Sequence, residues 1–126
     1  MFYKNLSIIL LLLAVTACGA RVPRVDVTNL SKEDLATAYN VKIYEFGGQY
    51  NAPKYTEALG NVSGYSCKHL LTDSPASKGD ALTQLRINAS KLDAVAVIDV
   101  MFDHSGADAL GTNCWQSIEA SGMAVK

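Results

Sequence analysis

At 126 residues the chain has room for one domain, and its 11 basic and 12 acidic residues leave it nearly neutral. No basic stripe offers itself to nucleic acid, and no block of like charge marks a disordered acidic tail. Hydrophobic residues make up 49% of the total, a share raised by one apolar run near the beginning.

That run is Leu6 to Val15, interrupted only by Ser7 and preceded by Lys4. A positive start followed by an apolar stretch of this length is a secretory signal, too short to span a bilayer comfortably. A buried first helix would not need a charged start before so unbroken a run. The run ends at Val15-Thr16-Ala17-Cys18, which resembles the lipobox of bacterial lipoproteins. The resemblance implies a lipoprotein signal peptide over 1–17 and lipidation at Cys18. Acyl chains then serve as the anchor: each buried methylene contributes about 0.8 kcal/mol, so two or three chains hold where one would not. Gly19 stands where lipoproteins kept in the inner membrane carry Asp, which implies the outer membrane, with the domain facing the periplasm. Removing 1–17 takes away one base and no acid.

Residues 18–40 read as the lipidated N-terminus and a short tether with a short helix. Gly19 to Asn29 has no periodicity and is not rich in Pro, Gly or Ser. At Ser31 a helix can begin, with Asp34 at its third position and Leu30 against Leu35 as a staple, ending near Tyr39. Val41 to Glu45 alternates and predicts a first strand. Gly47-Gly48 and Asn51-Ala52-Pro53 break it. Ala58 to Tyr65 predicts a second strand, with bulges at Gly60 and Gly64. His69 to Asp73 leads into a loop before the main helix.

In that helix Leu82, Leu85, Ala89 and Leu92 form a narrow apolar stripe, with Thr83, Arg86, Ser90 and Lys91 polar. Two starts are open: Ser74 capping with Pro75 in the first position, or Ser77 capping with Asp80. A tight turn at Lys91 to Asp93 leads into Ala94 to Phe102, a run too continuous for a strand with one wet face and therefore central in its sheet. Asp99 within it must be paired, with Arg86 or Lys91 in reach, or face water. Ser105 to Asn113 is a surface loop. Trp115 to Val125 forms the last strand, with Ile118, Ala120, Gly122 and Ala124 on one face and Trp115 in the core. The fold class is α+β: a small sheet of about four strands packed by one main helix, over 41–126, preceded by a short N-terminal helix.

With Cys18 assigned to lipid, Cys67 and Cys114 remain. In an oxidising compartment two such cysteines most simply form a disulfide. The alternative is a metal site drawing on Cys67, His69, Asp103, His104 and Cys114, the right ligand types for zinc or copper but without a C-x-x-C clamp. The two histidines read as solvated loop residues rather than pH switches. Ser63, Ser66 and Ser74 show no Gly-x-Ser-x-Gly elbow. Nothing supports a catalytic claim, and no cofactor is called for.

Val41-Lys42-Ile43-Tyr44, Gly60-Asn61-Val62-Ser63-Gly64-Tyr65-Ser66-Cys67, Asp73-Ser74-Pro75 and Ile87-Asn88-Ala89-Ser90-Lys91 occur in this order. With Cys114-Trp115 and Ala124-Val125-Lys126, they resemble the globular domain of the RcsF family, outer-membrane lipoproteins of the Rcs envelope-stress phosphorelay. The resemblance covers Val41 to Lys126. It implies a non-enzymatic stress sensor whose partners are outer-membrane barrel proteins or their assembly machinery and an inner-membrane Rcs regulator. It also implies a disulfide between Cys67 and Cys114. The second disulfide of the family falls at about Phe102 and Ala120, where both cysteines are absent. The family's long proline-rich linker has no counterpart here. More distantly, Leu92 to Val97 and Ser121 to Lys126 resemble the YbjQ-like family, which implies an oligomeric ligand- or metal-binding module. A purely structural lipoprotein is the plainest alternative.

Overall fold

The computed structural model describes residues 31–48, 51–105 and 114–126. The signal peptide, Cys18, Leu30 of the staple and nearly all of the Ser105–Asn113 loop lie outside the described residues. Two helices and four strands follow in the order α1 (Lys32–Asn40), β1 (Lys42–Glu45), β2 (Ala58–Lys68), α2 (Lys78–Ser90), β3 (Ala96–Ser105) and β4 (Gln116–Val125). The strands form one mixed sheet in the order β1-β3-β4-β2, with β1 parallel to β3 and the other pairs antiparallel. The last strand is thus inserted between two earlier ones, and α2 packs on the sheet. Among the described residues no helix is long and apolar enough to cross a membrane.

The helix starts follow local chemistry. The Ser31 hydroxyl accepts from the Asp34 amide at 3.0 Å and caps α1 as expected. For α2 the second of the two starts is realised: Ser77 is extended, and its hydroxyl accepts from the Asp80 amide at 3.1 Å. Ser74 and Pro75 stay outside the helix. The reason is tertiary. The amides of Ala76 and Ser77 donate to Gln116 Oε1 at 3.1 Å and to Ser66 Oγ at 2.9 Å, which holds this segment extended against β4 and β2. The Ser66 hydroxyl, though buried, is satisfied by that bond.

Helix α2 buries Ala81, Leu85 and Ala89 against the sheet. Leu92 is 42% exposed, contrary to the predicted stripe, because the helix ends at Ser90 and the chain has turned before Leu92. The turn closes with Asp93 at φ 57° and a hydrogen bond from the Ala94 amide to the Ala89 carbonyl. Ile87, left out of the stripe, is buried and lines a narrow cleft with Leu35, Ala38 and Tyr39 of α1. Arg86 spans the same helix pair, 5.7 Å over the Tyr39 ring and donating to the Val41 carbonyl at 3.3 Å. It is therefore no partner of Asp99.

Strand β3 is central and buried on both faces, as its sequence predicts. Val97 and Val100 face α2, while Ala96 and Ile98 join Val125 on the opposite face. Two core residues three apart cannot share a face of a regular strand, whose side chains alternate. A bulge resolves this: Ile43 and Glu45 of β1, two apart, pair with Val97 and Val100, and β4 shows the same extra residue in β3 between Ile98 and Met101. Asp99 takes the extra place at φ 53° and is exposed to water. Aspartate tolerates that left-handed conformation better than most residues.

The two glycines of β2 differ in purpose. Gly60, at φ 127°, sits where the β2–β4 register shifts, so a bulge forms there as predicted. Gly64 makes none. A Cβ on Gly64 would lie 2.2 Å from the Ala81 carbonyl oxygen and 2.3 Å from the Leu85 amide nitrogen, so α2 rests on its backbone. This approach lets Gln84 Oε1 accept from the Tyr65 amide and Asn88 Nδ2 donate to the Ser63 carbonyl at 2.8 Å. Groups on the free edge of β2 are thereby paired by helix side chains instead of another strand.

Gly64→Ala should destabilise the protein by about 3 kcal/mol, the upper range for overpacking, because helix backbone must move. Gly79→Ala on the exposed first turn of α2, with only Ser77 Oγ at 3.9 Å from its Cβ, should stabilise by up to about 1 kcal/mol. Urea denaturation of both variants checks the contrast.

Candidate functional site

The side chains with chemical potential gather at the end of the sheet where β2 leaves and β4 enters. Cys67 is the penultimate residue of β2, and Cys114 lies two residues ahead of β4. The Trp115 amide donates to the Lys68 carbonyl at 2.8 Å, extending the β2–β4 pairing past the strand end. That pairing brings the two cysteines together, with Cα atoms 5.6 Å apart, as a disulfide across 47 residues of sequence. Both are buried, at 8% and 3% exposure. Closing a loop of this length contributes about 4 kcal/mol in the chain-entropy model. The bridge also fastens β2, an edge strand, to the interior strand beside it.

His69 is drawn to the same place. Its Nδ1 lies 3.4 Å from Cys67 Sγ. Asp73 holds the backbone there: its Oδ2 accepts from the amides of His69 at 3.2 Å and Leu70 at 3.0 Å, and its own amide donates to the Leu70 carbonyl at 3.1 Å. Ligand atoms of Cys67, His69 and Cys114 all lie within 4.8 Å of one another. Asp103 and His104, the other metal-ligand types noted in the sequence, are exposed on β3 and outside this cluster.

Near the buried sulfurs in sequence, several large apolar side chains are exposed. Trp115 is 58% exposed, so its expected place in the core is not the one it takes. The residues of β4 that face α2 are Ile118, Ala120 and Ala124. Trp115 precedes the strand and, by the alternation of side chains, falls with Ser117 and Glu119 on the opposite face. Leu70 and Leu71 in the Asp73-closed turn are 57% and 78% exposed. All three large apolar side chains leave the chain within four residues of the disulfide.

On the same open face Tyr65 stands opposite Glu119, which in turn stands opposite Asp103. The Tyr65 hydroxyl donates to Glu119 Oε1 at 2.7 Å. That hydrogen bond to a carboxylate, followed by partial burial and the repulsion of a second negative charge, raises the Tyr65 pKa above its ordinary value. Tyr65 therefore stays a neutral donor at physiological pH.

No protein-family model matches the chain, and no curated protein matches it in sequence.

Replacing Cys67 or Cys114 by Ser should cost about 2–5 kcal/mol. An unchanged melting temperature in either variant would show that the bridge contributes nothing to stability.

Proposed function

We propose that this chain is an RcsF-like outer-membrane lipoprotein, anchored through Cys18, that senses envelope stress and signals to the Rcs phosphorelay by protein–protein contact, without enzymatic activity. The observation that carries this reading is a register pair. Phe102 and Ala120, at about which the resemblance places the family's second disulfide, are direct partners across β3 and β4. That two positions taken from sequence likeness meet across neighbouring strands supports the reading. The Cys67–Cys114 bridge is the other disulfide that the resemblance implies.

The exposed Trp115, Leu70 and Leu71 give such a sensor an apolar surface for a partner. The tether limits where that partner can be. Helix α1 packs against α2, so only the residues between Cys18 and Ser31 are left to reach away from the membrane. Fully extended they cover about 45 Å. A partner at or near the outer membrane, such as a barrel protein or its assembly machinery, is thus within reach more readily than one across the periplasm.

Chemical cross-linking in intact cells, read by mass spectrometry, should recover barrel proteins, their assembly machinery or an inner-membrane Rcs regulator. Trp115→Ala should lower that yield while shifting stability by no more than about 0.5 kcal/mol, as for an exposed residue. Self-cross-links alone, in a ladder of discrete sizes, would overturn the sensor reading in favour of a ring-forming module. The shared geometry has its own test: the double variant Phe102→Cys, Ala120→Cys should form a second disulfide in oxidising conditions, because directly opposed strand residues have Cα separations of about 4.5–5.5 Å. Two free thiols in the purified double variant would remove the observation on which the proposal rests.

A further inference from the structure

The cluster at the disulfide has the composition and spacing of a metal site whose thiols are tied together. In tetrahedral zinc sites, with Zn–S about 2.3 Å and Zn–N about 2.0 Å, neighbouring ligand atoms stand about 3.5–3.8 Å apart. His69 Nδ1 and Cys67 Sγ are already at 3.4 Å. The two sulfurs need only separate to the same distance once their bond is broken. The frame that places them does not depend on the bond alone: Cys67 is within β2, Trp115 is hydrogen-bonded to Lys68, and His69 sits on the turn closed by Asp73. Both cysteines are largely buried, so few waters compete for the sulfurs.

We propose that Cys67, Cys114 and His69 form a redox-gated metal site, closed as the disulfide and open, as the dithiol, to a thiophilic cation such as zinc. The reductant is a dithiol. It transfers two electrons and two protons to the Cys67–Cys114 bond and leaves as its own disulfide. The cation then displaces the two thiol protons, forms two bonds to sulfur and one to the imidazole, and keeps a fourth position for water or an added ligand. Two thiolates and an imidazole suit zinc or a cuprous ion over hard cations. The disulfide offers no thiolate, so binding is confined to the reduced chain. This inference stands apart from the sensor reading and survives its failure.

The test uses the full chain in detergent with Cys18→Ser, so that Cys67 and Cys114 are its only thiols. Reduced with a phosphine and titrated with cobalt as a spectroscopic stand-in for zinc, it should take up one ion per chain with a thiolate-to-metal charge-transfer band. The disulfide form should show none. His69→Ala should weaken zinc at least tenfold, measured by competition with a chromophoric chelator. Zinc should raise the melting temperature of the reduced chain, or restore its far-UV circular dichroism if reduction has unfolded it, and do either less well in His69→Ala. Equal affinity with and without His69, equal uptake by the disulfide form, or zinc bound without any gain in folding would each overturn the proposal.

Discussion

Gly64 has no side chain, and α2 occupies the place one would need. Much else follows from that contact. With helix backbone resting on strand backbone, Gln84 and Asn88 come within reach of the β2 edge and pair its Tyr65 amide and Ser63 carbonyl. Part of the edge is thereby paired without a fifth strand. The same proximity explains why so much of the buried interface is alanine: Ala81 and Ala89 from the helix, Ala120 and Ala124 from β4. Larger side chains would push the layers apart. A thin core of small residues buries little apolar area per residue, which limits the hydrophobic contribution to stability. The disulfide contributes on top of that limited core, at the end of the sheet farthest along β2.

The bulge at Asp99 serves the opposite requirement, a strand buried on two faces. Val97 and Val100 pack under α2 while Ala96 and Ile98 pack on the other side with Val125. The extra residue resets the alternation, and the aspartate that looked out of place in an apolar run is the one that leaves the ladder. Its carboxylate reaches water from the bulge, so no core position is emptied.

The candidate site arises where these two arrangements meet the chain's loose ends. Pairing of β4 with β2 brings Cys114 to Cys67, and the turn held by Asp73 brings His69 to the same sulfur. The apolar side chains that follow each cysteine, Leu70, Leu71 and Trp115, are left exposed. A buried bridge beneath an apolar rim suits a protein that works by contact.

Periodicity, cap signals and one unbroken apolar run determined the α+β class, the elements, the central place of the Ala94–Phe102 run and the inward face of β4. Cap chemistry at Ser31 and the pairing of Cys67 with Cys114 were equally legible, the first from local hydrogen bonding and the second from there being few cysteines to pair. Only the tertiary structure decided between Ser77 and Ser74 as the start of α2, since the choice turns on Ser66 and Gln116, far away in sequence. It also decided that Gly64 is a seat for a helix and not a bulge, that Leu92 lies past the helix end, and that Trp115 faces out. For Ser77 and Gly64 the local pattern was compatible with two conformations, and a neighbour contributed by a distant segment selected one. The same holds for His69, which in sequence is a solvated loop residue and in space stands beside a sulfur. Its place is set by the fold around Asp73, a constraint that no spacing of residues records.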